Sequence, residues 1–471
     1  METDVRENKS KTDQLGEAFL VYDDNGAVRA DFLDRIIVCI AEADARSLGE
    51  TVQRLHESEL GDLIEALEPG QRQELVALLG ENFDFSALTE VEDGIRNDIV
   101  SALPNEQIAL AIRELDSDDA VYILEDLDDE DQAEILAKVP FTERIRLRRS
   151  LDYPDESAGR RMQADFVAVP PYWTVGQTID YLRDNDDLPQ SFAQIFVIDP
   201  TFRLVGAVDL DRILRTGRPE RIEDIKRETR HAIPAEMDQE EAAQLFERYD
   251  LLSAAVVDEN ERLVGVLTID DVVDVIQEEA EEDFKKLVGV GTEELSDTVV
   301  ATTKSRFVWL LVNLATAILA SAVIGLFDAT IDQMVALAIL MPIVASMGGN
   351  AGTQTMTVAV RALATKDLDI YNSSRIIRRE VLVGFANGIL FAILIGIVAT
   401  IWFGSWGLGL VIAVAMIINM VSAALAGIVI PLVLDRLGAD PATASSVFVT
   451  TVTDVVGFFA FLGLAGLWFG I

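Results

Sequence analysis

The 471-residue chain has a single cysteine, Cys39, which excludes an internal disulfide and any cysteine-rich metal centre. Histidine is almost as scarce. His56 and His231 both lie outside the long apolar stretches, where they read as surface or packing residues, and no nucleophile or metal cluster accompanies them. An enzyme is therefore not expected. Lysine is sparse beside arginine, and positive charge is in deficit overall, with a formal net charge of −42. Such a chain is an unsuitable partner for nucleic acid, whose phosphates demand cations. Nearly all the acid excess precedes residue 300, in a region long enough for two domains. Two readings of it stay open: a halophile-type surface kept soluble in salt, and a surface that binds divalent cations.

The rest of the chain is apolar. Phe307 to Phe327, Gln333 to Val360, Val381 to Phe403, Trp406 to Leu434 and Pro441 to Gly470 each supply the roughly 20 residues that cross about 30 Å of hydrocarbon. The short loops between them are unequal in basic charge. Lys304 and Arg306 precede the first span, Arg361, Lys366, Arg375, Arg378 and Arg379 separate the second from the third, and Arg436 follows the fourth. The alternate loops hold Asp328 and Asp332 or no charge. The positive-inside rule then predicts a multi-pass protein of the cell membrane, with a cytoplasmic amino-terminal region and an external carboxyl terminus. Met1 to Ser10 is polar and acidic, and no signal peptide is expected.

Two repeats organise the soluble half. Leu55, Leu67, Leu79, Val91, Leu103, Leu115, Leu127, Val139 and Leu151 recur every 12 residues. Several precede an acid or proline: Glu68, Pro104, Asp116, Asp128, Pro140 and Asp152. A period this short suits brief helices that each end in a turn and stack on the next. The second repeat has an offset of 59: Ile195 to Asp199, Arg203 to Gly206 and Asp211 match Ala254 to Asp258, Arg262 to Gly265 and Asp270. Each copy reads as strand, tight turn, strand, helix. Val169-Pro170 and Ile233-Pro234 open the copies at an offset of 64, with an insertion near Asp187 to Ser191 accounting for the difference. The pattern resembles a tandem pair of CBS domains, which implies an adenine nucleotide such as ATP as a candidate ligand. Helical spacing continues from Val272, Val273 and Ile276 through the acidic run Gln277 to Lys286, so one helix is expected to lead from that pair toward the membrane; an ordinary solvated linker is the alternative.

Within the second span lies a polar, glycine-rich segment, Met347 to Thr355, and within the fifth one carboxylate, Asp454. Hydrocarbon hydrates neither, so such groups persist at membrane depth where they face protein or a water-filled path. Gly348, Gly349 and Gly352 point to a helix break or a close backbone approach, or simply to tight packing of spans. Asn350, Thr353, Gln354, Thr450 and Thr451 are candidates for a polar lining around a cation held by Asp454. The alternative for Asp454 is a protonated packing residue.

In this order the pieces resemble the MgtE family of magnesium transporters. The resemblance rests on Gly348 to Gln354 with Arg361 to Ala364, on Leu437-Gly438-Ala439-Asp440-Pro441, and on Thr453-Asp454-Val455-Val456-Gly457. It implies a multidomain membrane protein: an α-helical superhelix at 46–155 after an extension at 1–45 that is open to disorder, an α/β tandem CBS pair at 156–275, an acidic connecting helix at 276–304, and a five-helix transmembrane domain at 305–471. It implies a homodimeric Mg2+ pathway through the second and fifth spans, closed by cytosolic Mg2+. The regulatory acids it carries over are Asp118, Asp119, Glu240, Asp250, Asp271, Asp274, Glu279, Glu282, Asp283 and Asp440. Tyr122 departs from the family pattern, standing near where another acid is usual. A magnesium exchanger, a transporter admitting Co2+, Ni2+ or Mn2+, and a CBS-regulated channel for another ion are the alternatives.

Overall fold

The computed structural model describes residues 21–470 except 186, 187, 190, 229, 230, 291–298, 367 and 369–372. The chain divides into two compact units, Met1–Ile276 and Gln277–Ile471.

The first unit opens with stacked short helices: Ala30–Ala41, Ala45–Val52, Glu57–Ala66, Pro69–Leu79, Asp93–Ala102, Asn105–Ala111, Ser117–Glu125, Asp129–Lys138 and Phe141–Leu151. The 12-residue repeat marks where they stop. Leu67, Leu103 and Val139 are helix C-caps with extended backbone, ψ 152°, 147° and 144°. Each turns its side chain into the core while the next residue, Glu68, Pro104 or Pro140, caps the following helix. One repeat departs from the expectation. Residues 80–88 form two 3-10 turns, Gly80–Asn82 and Phe85–Leu88, because Gly80 has a left-handed φ of 53° and the segment is rich in residues of modest helix propensity. The extension at 1–45 is corrected in its second half: Val21, Phe32, Ile36 and Ile40 are buried in the superhelix core. Its first 20 residues lie outside the described ones.

The CBS pair follows as two three-stranded sheets, β1 (Ala168–Val169), β2 (Gln194–Ile198) and β3 (Leu204–Asp209), then β4 (Ile233–Pro234), β5 (Ser253–Val257) and β6 (Leu263–Thr268). Both sequence offsets reappear as register. Val169 pairs with Val197 as Ile233 pairs with Val256, and each hairpin carries its irregularity at the equivalent position. Phe202 and Glu261, 59 apart, hold the left-handed turn of each hairpin at φ 65° and 60°. The sheets meet through Phe196, Ala207, Ala255, Leu263 and Val266. Part of the insertion near Asp187 lies outside the described residues. The connecting helix is corrected in its bounds: it is the last CBS helix prolonged, Ile269–Leu287, and 299–304 belong to the first span.

The second unit holds five helices long and apolar enough to cross a membrane, within Val299–Gly325, Ala336–Ala364, Ser373–Phe403, Trp406–Arg436 and Pro441–Phe469. Asp328–Gln333 forms a separate short helix before the second. The fourth span is the hub against which the second, third and fifth pack. Small residues permit this: a Cβ on Gly427 would meet the Gly352 carbonyl at 2.6 Å, and one on Gly384 would meet Ala424 at 2.7 Å. The second span is one unbroken helix, so the glycines mark close approach rather than a break.

Candidate cation pathway and regulatory acids

Asp454 is the fourteenth residue of the 29-residue fifth span, and Asn350 the fifteenth of the 29-residue second. At 1.5 Å per residue each lies about 20 Å from its helix end, the middle of a bilayer. The two spans touch there: a Cβ on Gly352 would lie 2.5 Å from Val449 and 3.5 Å from the Thr453 methyl, and one on Gly349 would lie 4.0 Å from Thr453 Oγ1. Gly352 is buried by this packing and Gly348 by the fourth span, whereas Asn350, Thr353, Gln354 and Thr450 are polar residues at or near the surface of the chain, and Thr451 and Asp454 are half-buried. Helical spacing places Asp454 over Thr450 and Thr451, and Asn350 beside Thr353 and Gln354.

The hydroxyls have a common orientation. Thr353 donates to the Gly349 carbonyl at 3.0 Å, Thr357 to Thr353 at 3.0 Å, Thr450 to Ser446 at 2.8 Å and Thr451 to Val447 at 2.6 Å. With its hydrogen engaged on its own helix, each oxygen presents lone pairs outward, suited to a cation or its water shell.

Asn419 of the fourth span is not among the sequence candidates, although a lone amide within an apolar helix is a detectable signal. It is fully buried. Its Nδ2 donates to the Val344 carbonyl at 2.7 Å, its Oδ1 has no partner among the described residues, and it sits wedged between Gly348 and Gly457. Two of the polar segment's glycines are thus explained by partners, Asn419 and Val449.

The regulatory acids fall into separate places. Asp118 and Asp119, in the first turn of Ser117–Glu125, converge with Asp271 of the prolonged helix. Burial, then mutual repulsion, pushes all three carboxyls well above the usual range. The Asp118 and Asp271 carboxyls face each other, and Asp118 Oδ1 is buried without a hydrogen-bond partner. Asp274 is also raised, by burial and then by Glu90 and Asp270. Tyr122 explains the departure at its position: its ring lies under the Arg96 guanidinium at 4.1 Å and the Arg161 guanidinium at 4.9 Å, a site for fixed cations rather than a metal.

Glu240 and Asp250 are not brought together. They bracket the helix Gln239–Tyr249, about 15 Å apart, with Asp250 as its left-handed C-cap. In the second unit, Lys286 is a further residue absent from the sequence candidates. Its Nζ lies 2.6 Å from Glu282 and 3.1 Å from Asp440, joining the connecting helix to the foot of the fifth span. Leu287 packs beside it against Met356, Val360, Ala442 and Val449. Burial pushes Asp283 up, with Asp440 reinforcing the shift. Asp440 caps the fifth span through the Ala442 amide and the Thr443 hydroxyl, both at 2.7 Å; burial raises its carboxyl, but these bonds and Lys286 hold it below the ordinary range. Glu279 is one turn back on the same helix.

Among the described residues, no group of three or more His, Cys, Asp or Glu side chains is arranged to hold a metal ion. Pairs of carboxylates are present instead, which suits Mg2+: it keeps several waters and takes one or two carboxylates. The orphaned Asp118 oxygen fits such a cation.

Profile matches agree piece by piece. A divalent cation transporter family, MgtE, matches residues 341–464, an MgtE intracellular N domain matches 55–156, and a CBS domain matches 222–278. The magnesium transporter MgtE of Bacillus subtilis is 30% identical over 433 residues, 92% of this chain and 96% of its own. The chain belongs to the MgtE family of magnesium transporters. The Enterococcus faecalis magnesium transporter MgtE is 34% identical over 321 residues, 68% of this chain and 71% of its own. The solved soluble part of a magnesium transporter is 26% identical, with a TM-score of 0.48, covering 53% of this chain and 98% of that one. As an MgtE-family member the chain is a transporter of Mg2+.

Proposed function

We propose that this MgtE-family chain carries Mg2+ into the cell along a path lined by the second and fifth spans of a homodimer. The observation that carries the reading is the polar stripe of Asn350, Thr353, Gln354 and Thr450 beside Asp454, at mid-membrane and incompletely covered in a single chain. Polar groups do not face lipid at that depth, so a second copy covers them and encloses a wet path. Two Asp454 carboxylates then approach each other and share a cation, since close anions do not both stay ionised alone. The amino-terminal region lies in the cytoplasm and the carboxyl terminus outside, the orientation that the basic loops favour. The chain acts as a transporter, with no catalytic step.

Cytosolic Mg2+ closes the path by binding the regulatory acids. In the first unit it joins Asp118 to Asp271, and in the second it joins Asp283 to Asp440; in each it relieves repulsion that metal-free folding has to bear. Coupling energies of about 1–3 kcal/mol favour several such weak sites over one strong one. An adenine nucleotide such as ATP has a place of suitable size, a cavity of about 540 Å3 lined by Arg146, Arg149, Arg262, Phe166 and Phe202. Arginines there suit phosphates, and the two rings suit a base.

Asp454→Asn tests the pathway in proteoliposomes carrying a Mg2+ indicator. Losing a charge-assisted contact of about 2–3 kcal/mol predicts a fall in Mg2+ flux on the order of a hundredfold. Wild-type flux in a folded Asp454→Asn protein would move the selectivity site elsewhere. Flux at steady voltage without a counter-ion gradient supports a channel, and its absence an exchanger; parallel assays with Co2+, Ni2+ and Mn2+ fix the breadth of selectivity.

A further inference from the structure

The third span begins with a feature that Mg2+ transport does not use. Arg375, Arg378, Arg379, Leu382, Val383 and Ala386 line a shallow, open surface recess of about 390 Å3. Their spacing of three and four places them on one face of Ser373–Phe403. The opposite face is committed to the fourth span, where Gly384 abuts Ala424 and Gly388 abuts Ile417. The arginine face therefore points away from the bundle. In a chain with 80 acidic residues, none of these three guanidiniums forms an ion pair among the described residues, although Glu380 adjoins them on the helix and Asp435 ends the neighbouring span. Beyond Ala386 the same face is apolar and open: Leu390, Ile393 and Ile397 are each more than half exposed.

Guanidiniums over two turns followed by an exposed apolar track reproduce the layout of one molecule, an anionic head on hydrocarbon tails. We propose that this face is a binding site for an anionic phospholipid, its phosphate held by Arg375, Arg378 and Arg379 and its acyl chains lying along Leu382, Val383, Ala386 and Leu390. Arginine suits phosphate through its paired donors and its weak hydration. Basic pockets at the cytoplasmic ends of membrane helices take anionic headgroups for this reason. A soluble phosphate would use the cations but leave the apolar half of the site unexplained.

The test is full-length protein in nanodiscs of phosphatidylcholine with graded phosphatidylglycerol, with bound lipid counted by native mass spectrometry after release. A basic residue near an anionic surface contributes about a fivefold preference, so the triple variant Arg375→Gln/Arg378→Gln/Arg379→Gln loses on the order of a hundredfold in preference for phosphatidylglycerol. The charge-preserving triple Lys variant keeps topology and retains most of the preference. If the triple Gln variant inserts wrongly, the three single variants, each expected to lose about fivefold, carry the same test. Equal phosphatidylglycerol retention by wild-type and Gln variants would overturn the proposal. So would displacement of the lipid signal by millimolar inorganic phosphate, which assigns a soluble anion, or loss of dimer mass in the Gln variants, which assigns the face to a second copy.

Discussion

Substituting Gly348 by alanine should destabilise the membrane unit, by an amount that the structure sets. The new Cβ would lie 2.2 Å from Asn419 Nδ2 and 2.7 Å from its Cγ. Asn419 has no room to retreat, because its Nδ2 is bonded to the Val344 carbonyl at 2.7 Å and its far side meets Gly457, where an added Cβ would lie 2.8 Å away. Overpacking costs about 1–3 kcal/mol. Pushing the amide off Val344 strands a buried donor for about 1–3 kcal/mol more. The single variant therefore loses about 2–6 kcal/mol, measurable as denaturant unfolding of purified protein in detergent. Asn419→Ala removes the obstacle and costs about one hydrogen bond, roughly 1 kcal/mol. The double variant should then be more stable than Gly348→Ala alone, a coupling of the size seen between touching residues. If Gly348→Ala unfolds with the wild type, or the two losses simply add, the wedge is not what requires glycine. Lost transport with unaltered stability would return Gly348 to the pathway wall.

Lys286→Met removes a tethered cation that links Glu282 to Asp440; with about 1 kcal/mol for each of two partly exposed pairs, vesicle flux at inhibiting cytosolic-side Mg2+ should rise as the ratio of closed to open path falls roughly thirtyfold. An unchanged inhibition curve would show that this link does not hold the path shut. The raised carboxyls of Asp118, Asp119 and Asp271 make a signed prediction: their contribution to stability is complete below the ordinary carboxylate range and is lost as pH rises toward their elevated values, so metal-free protein should melt lower at pH 8 than at pH 5 and Mg2+ should restore it. Asp271→Asn should flatten that dependence, and a wild-type pH response in the variant would refute the coupling. Arg262→Ala should weaken ATP binding on the order of tenfold by calorimetry if the 540 Å3 cavity is the nucleotide site, and leave it untouched if not.

The soluble fold was legible because its repeats are backbone statements. A leucine every 12 residues is where a helix must stop, and Val169-Pro170 with Ile233-Pro234 gives the pairing register at an offset of 64. The interval 80–91 escaped because a period counts residues and does not distinguish an α-helix from 3-10 turns. The mid-span position of Asp454 was legible, since the sequence sets one carboxylate near the centre of an apolar run. Asn419 and Lys286 were not, because their roles depend on which helix stands opposite: Gly348 and Gly457 for one, Asp440 for the other. Glu240 and Asp250 illustrate the converse, two acids carried over together that a single helix holds at its opposite ends.

The back-bonded threonines have a consequence for protons. A hydroxyl relays a proton only if it can release the hydrogen it holds and accept another from its neighbour. Along Thr353, Thr357, Thr450 and Thr451 each hydroxyl donates to a carbonyl of its own helix, so its hydrogen is not free to pass on while that bond holds. On the proposed path such hydroxyls would be steps for a hydrated ion and poor links in a proton wire. A cell could then draw in magnesium along this surface without its threonines short-circuiting the proton gradient that the same membrane maintains.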